Sequence, residues 1–161
     1  MSKIKYLLPF IVLAFILASC SKSEAPYQAP YFECKGIDGK TYTLDTFKGK
    51  RLVLVFWATW CPTCKKELAR VIAHLNELKK ANIEILAVCL DRNIEAVRKT
   101  AEEHGLVGIP VAIASKQMTM DYQGVRFLPT AFLINEKGYI VGKLVGELDP
   151  EKIISTFEKK G

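Results

Sequence analysis

Apolar residues fall into short blocks along this chain, and the period within each block separates strands from helices. Arg51 to Trp57 carries the unbroken run Leu52-Val53-Leu54-Val55-Phe56-Trp57, and Ile83 to Leu90 is nearly as apolar. Both predict strands buried on two faces. Between them Leu68, Val71, Ile72, Leu75 and Leu78 recur at helical spacing, which predicts a helix from Pro62 to about Lys80. Tyr31 to Lys35 and Lys40 to Thr43 flank Ile37-Asp38-Gly39 as a hairpin. Asn93 can cap a helix running through His104, with Gly105 as its stop. Val111 to Ala114 is a short strand. Thr130 to Ile134 and Tyr139 to Val145 form a second hairpin around Asn135-Glu136-Lys137-Gly138. Pro150 to about Lys159 closes the chain as a helix that Asp149 can cap. Strands alternating with helices predict an α/β fold, a mixed sheet covered on both faces.

The first thirty residues do not fit that pattern. Lys3 and Lys5 precede the apolar stretch Tyr6 to Leu17, too short for a comfortable membrane span and of the form of an export signal. Leu17-Ala18-Ser19-Cys20 follows and resembles a bacterial lipobox, which would make Cys20 the lipidated first residue of the mature chain. Several acyl chains anchor stably where one does not. Ser21 to Pro30 is polar and aperiodic. Residues 1–19 are therefore read as a signal peptide, 20–30 as a flexible tether and 31–161 as one domain. This places the domain in the cell envelope, outside the cytoplasm, lipid-anchored to a membrane and in an oxidising compartment where disulfides persist. Sorting to an outer membrane applies only to a double-membraned cell. The net charge of +6 includes Lys3 and Lys5, leaving +4 once the signal is gone. No Lys/Arg stripe interleaved with aromatics argues for nucleic acid, and no Gly-rich loop argues for nucleotide chemistry.

Trp60-Cys61-Pro62-Thr63-Cys64 sits where the buried strand hands over to the long helix. Unpaired N–H groups and the dipole at a helix N-terminus favour negative charge, so a thiol placed there becomes a better nucleophile. Pro62 suits the first helical turn, which needs no N–H from it. A C-x-x-C beside a β-α-β pattern reads as a redox motif. Half of a zinc site is the competing reading. The remaining Cys34, Cys89, His74 and His104 lack paired spacing, so no metal is expected.

With these residues in place the chain resembles the thioredoxin superfamily, specifically the membrane-tethered extracytoplasmic thiol-disulfide oxidoreductases of the TlpA/ResA type. Phe56-Trp57-Ala58-Thr59-Trp60-Cys61-Pro62-Thr63-Cys64-Lys65-Lys66-Glu67 and Leu128-Pro129-Thr130-Ala131-Phe132-Leu133-Ile134 carry the resemblance, with Ile37-Asp38-Gly39-Lys40 and Phe47-Lys48-Gly49-Lys50 in support. It runs from about Phe32 to the C-terminus. It implies a thioredoxin-like fold with an extra N-terminal β-hairpin, and a Cys61–Cys64 disulfide in the oxidised state. Cys61 would be the attacking thiolate and Cys64 the resolving thiol. Pro129 would be a cis-proline packed across from the dithiol. Leu128 would then pair with an incoming polypeptide, and Trp60, Pro62 and Thr63 would complete the substrate-binding surface. The buried Asp of classical thioredoxins falls at Val55 here. Glu67, three residues after Cys64, matches an acid implicated in activity within this branch. A solvated Glu67 pairing with Arg70 is the simpler reading, since acids favour the first helical turns.

The resemblance further implies no cofactor, exported thiol or disulfide proteins as substrates, apocytochrome c among them, and a membrane protein as electron donor. Reduction of exported disulfides is the leading reading; the oxidising direction uses the same atoms. Two alternatives share the fold. A peroxiredoxin-type peroxidase would need Pro at Leu54 and Thr at Ala58. A copper-binding chaperone would need C-x-x-x-C spacing and a His near Pro129 that the chain lacks. Cys89 is expected to be a buried inert thiol, and a Cys34–Cys89 disulfide requires that their strands lie side by side.

Overall fold

The computed structural model describes residues 25–106, 108–122 and 125–160. The signal peptide, Cys20 and the start of the tether lie outside these residues.

Among these residues eight strands form one sheet: β1 (Tyr27–Gln28), β2 (Glu33–Gly36), β3 (Thr41–Thr43), β4 (Arg51–Trp57), β5 (Ile83–Cys89), β6 (Val111–Ile113), β7 (Thr130–Ile134) and β8 (Tyr139–Val145). Their order is β1-β8-β7-β4-β5-β6-β2-β3. β4 is central, parallel to β5 and antiparallel to β7. Strands in this position are covered on both faces, which is why their sequences are continuously apolar rather than alternating.

The alternate residues of β4 still serve two different cores. Val53, Val55 and Trp57 face one layer, with Leu68 and Val71 of α1 (Pro62–Ala73), Leu78 of α2 (Leu75–Lys80), Val97 and Ala101 of α3 (Ile94–Glu103), and Ile153 and Phe157 of the C-terminal helix. Leu52, Leu54 and Phe56 face the other layer, with Phe32, Tyr42, Phe47, Met118, Tyr122 and Phe132. There the rings of Phe56, Tyr122 and Phe132 pack edge-on or tilted at 5.0–6.0 Å. Met118 comes from α4 (Lys116–Asp121), and the C-terminal helix is α5 (Pro150–Lys160). Both parallel crossovers, β4-α1-α2-β5 and β5-α3-β6, place their helices on the first layer.

Two differences from the sequence reading have physical causes. The helix expected over Pro62–Lys80 is two helices that break at His74. A continuing helix would bond the His74 N–H to the Arg70 carbonyl. Instead His74 Nδ1 donates to that carbonyl at 3.0 Å, and the His74 N–H turns to Val71 at 3.1 Å. The folded part also reaches back before residue 31. Tyr27 and Gln28 pair with β8, Ala29 is buried, and Pro30 accepts a hydrogen bond from Tyr122. Cys89 is a buried free thiol, as the sequence reading expected, and Cys34 is another. β6 lies between β2 and β5, and the two thiols belong to opposite core layers.

Candidate active site

β4 delivers Trp57 to one end of the sheet, and the chain turns at once. The Cys61 N–H donates to the Ala58 carbonyl at 3.1 Å, closing the turn that carries Thr59 and Trp60. Cys61 then caps α1, with Pro62 in the first helical position. The Cys64 N–H donates to Cys61 Sγ at 3.1 Å. This sulfur therefore occupies the place of a capping oxygen, where a helix N-terminus best supports a thiolate. Cys61 and Cys64 are joined in a disulfide, with 5.3 Å between their Cα atoms. Cys64 is fully buried and Cys61 is 6% exposed, so only the first cysteine has any solvent-facing surface.

The register puts the proline loop at the same end. Phe56 pairs with Thr130, so Pro129 is level with the end of β4. The Leu128–Pro129 peptide bond is cis. The loop is held on both sides: Thr130 Oγ1 donates to the Phe127 carbonyl at 2.7 Å, and the Gly146 N–H donates to the Pro129 carbonyl at 2.8 Å. Leu128 is half-buried and packs against both core layers, one of which contains Cys61 and Cys64. Trp60 and Phe127 are 68% and 70% exposed, large aromatics left uncovered on the dithiol turn and the proline loop.

Glu67 lies on the helix face of Cys64, one turn on, a spacing that sets Cβ atoms about 5–6 Å apart. It is 6% exposed, so it is not the solvated acid of the simpler reading. Its Oε2 accepts from the Leu148 N–H at 3.0 Å. Arg70, the partner that reading named, is 3.6 Å away and also reaches Glu147 at 3.1 Å and Asp149 at 3.8 Å. The loop before α5 thus closes over a carboxylate that shares a helix face with the dithiol.

One acid at this end was not anticipated. Asp91 follows β5, and its Oδ2 accepts from the Thr59 N–H at 2.7 Å and the Thr59 hydroxyl at 3.0 Å. The signal that could have found it is topological. Loops after adjacent parallel strands end up side by side, so a polar residue just past Cys89 faces the turn just past Trp57. Among the described residues no cluster of three His, Cys, Asp or Glu side chains could hold a metal.

Comparison with known proteins agrees with this geometry. The model of the AhpC/TSA family matches residues 26–143. The thiol-disulfide oxidoreductase ResA of Bacillus anthracis is 34% identical over 154 residues, spanning 93% of this chain and 86% of its own. ResA of Bacillus subtilis (strain 168) is 34% identical over 125 residues, 78% of this chain and 69% of its own. Among solved structures, the thioredoxin domain of a thiol-disulfide oxidoreductase from Bacteroides vulgatus superposes with a TM-score of 0.71 at 26% identity, covering 88% of this chain and 98% of that one. StoA of Bacillus subtilis gives 0.66 at 27% identity, covering 80% and 96%.

Proposed function

The chain belongs to the AhpC/TSA family and is a thiol-disulfide oxidoreductase related to ResA, and from this we propose that it reduces disulfides in exported proteins through Cys61 and Cys64. The observation that carries the reading is the Cys61–Cys64 disulfide capping a helix N-terminus, level with the cis Leu128–Pro129 bond. In the reduced state the Cys61 thiolate attacks one sulfur of a substrate disulfide. The other substrate sulfur leaves as a thiolate and takes a proton. Cys64 then attacks the Cys61 sulfur, releasing the second substrate thiol and leaving the disulfide seen here. Two electrons pass to the substrate per cycle.

Leu128 and the exposed Trp60 and Phe127 offer the incoming chain main-chain groups to pair with and two aromatic faces at the dithiol's end of the sheet. Glu67, buried one turn from Cys64, is the group that exchanges protons with the thiols. Lipidated Cys20 holds the domain outside the cytoplasm, a membrane protein returns it to the dithiol state, and apocytochrome c is among its substrates. No described helix is long and apolar enough to cross a membrane. The peroxidase reading has Leu54 and Ala58 where its pattern needs Pro and Thr, and both are completely buried.

The test is a trapping experiment. A Cys64→Ala variant cannot resolve its mixed disulfides and should accumulate adducts through Cys61, while the unsubstituted protein should reduce insulin. Absence of both would end the reductase reading.

A further inference from the structure

We propose that Asp91 is a positioning residue for the dithiol, whose carboxylate pins the Cys61 turn to the end of the neighbouring strand. The β4–β5 ladder has its last pair at Trp57 and Cys89, and one more bond runs from the Leu90 N–H to the Trp57 carbonyl at 2.9 Å. Beyond that point the backbones part. β4 goes into the dithiol turn and β5 into the loop that holds Asp91.

Asp91 Oδ2 spans the gap with both Thr59 donors, at 2.7 and 3.0 Å, and also accepts from Cys89 Sγ at 3.4 Å. Hydrogen bonds to a charged acceptor are about twice as strong as neutral ones. Two of these fix the second residue of a turn whose fourth residue is Cys61. Among the described residues Asp91 forms no ion pair, so its charge is directed at Thr59 and Cys89.

The tie matters most after the disulfide opens. In the oxidised protein the covalent bond itself keeps Cys61 against α1. In the dithiol state that bond is gone, the turn and the Lys65 N–H on the Cys61 carbonyl at 3.4 Å remain to hold the residue, and the Cys61 sulfur must stay within reach of the Cys64 N–H to be supported as a thiolate. Asp91 therefore sharpens the nucleophile without touching the substrate. The sign of the effect separates this role from simple electrostatics. A carboxylate acting only through its charge would disfavour a nearby thiolate, and its removal would make Cys61 more reactive. A carboxylate acting through the turn does the reverse.

The inference rests on the dithiol reading of Cys61 and is tested by a measurement that does not need a substrate protein. The rate of Cys61 alkylation in the reduced full chain is followed against pH for Asp91→Ala, Asp91→Asn and Thr59→Ala. Asp91→Ala should alkylate several-fold more slowly near neutral pH, with its pH profile moved upward. Asp91→Asn, whose amide oxygen still accepts from Thr59, should recover most of the rate. Thr59→Ala, which keeps the N–H bond and loses the hydroxyl, should fall between. Faster alkylation in both Asp91 variants, or an unchanged profile in both with only a lower Tm, would overturn the proposal. If Asp91→Ala does not fold, the Asn and Thr59 variants carry the same comparison. Failure of the unsubstituted protein to reduce insulin would sink the function and leave these alkylation rates readable.

Discussion

Four cysteines stand in the described part of the chain, and the fold treats them as two opposite pairs. Cys61 and Cys64 sit at a helix N-terminus, joined to each other, with a backbone N–H on the first sulfur. Cys34 and Cys89 sit within strands, in opposite core layers. Burial foremost, with Glu33 adding its charge, pushes the Cys34 thiol up to about 12. Burial likewise dominates at Cys89, also pushed up to about 12. The same sulfur chemistry is thus enabled or suppressed by position: a helix N-terminus gives Cys61 a donor, whereas burial at Cys34 and Cys89 outweighs the backbone donors that Asp91 and Thr59 give Cys89.

The sharpest way to break this comparison is by substitution. Cys61→Ala should abolish insulin reduction altogether, whereas Cys34→Ala should retain the rate of the unsubstituted protein. Equal losses from the two would mean that the helix terminus confers nothing. A second expectation concerns stability in alkali. Cys34 and Cys89 hold their protons to about 12 in the folded protein, against an ordinary 9.0. Between those values the unfolded chain sheds protons that the native one keeps, so stability falls as pH rises through that window and is fully present below about 9. Denaturant midpoints of the reduced protein should drop there. Iodoacetamide should label Cys61 first and reach Cys34 and Cys89 only on unfolding. Midpoints flat across the window would show that the buried thiols ionise freely.

The smallest effect concerns Glu67. Glu67→Gln keeps an oxygen for the Leu148 N–H and loses a 3.6 Å ion pair whose other member retains Glu147 and Asp149. The stability cost should be about 1 kcal/mol or less. The exchange rate should nevertheless fall and its pH dependence change. A normal pH profile would make Glu67 a clamp for the loop before α5 and nothing more.

Much of this arrangement was legible because burial leaves a strong mark on sequence. β4, β7 and β8 fall where the apolar runs predicted, and β5 ends only one residue early, at Cys89 rather than Leu90. The end of α1 was not legible, since His74 stops it through a ring-to-carbonyl bond rather than through Gly or Pro. Nor was α4. It has six residues of which only Met118 is buried, too few to set a period. Within the site, Cys61 and Cys64 announced themselves by spacing and context. The cis bond at Pro129 came from resemblance, because isomer state leaves no trace in composition. Asp91 was missed because an acid after a strand looks like any loop residue until the neighbouring turn is in view.

The sheet's end at β8 carries a consequence of another kind. β1 covers only Tyr139 and Ile140, so among the described residues the outer side of Val141 to Val145 has no strand neighbour. Among the described residues the main chain beside Val145, which is 50% exposed, has no strand partner, and an unpaired edge is a template on which other chains can stack. Lys143 projects from the middle of that stretch, its ammonium 5.2 Å from the centre of the Phe132 ring. A cation held there makes side-by-side stacking of like copies repulsive.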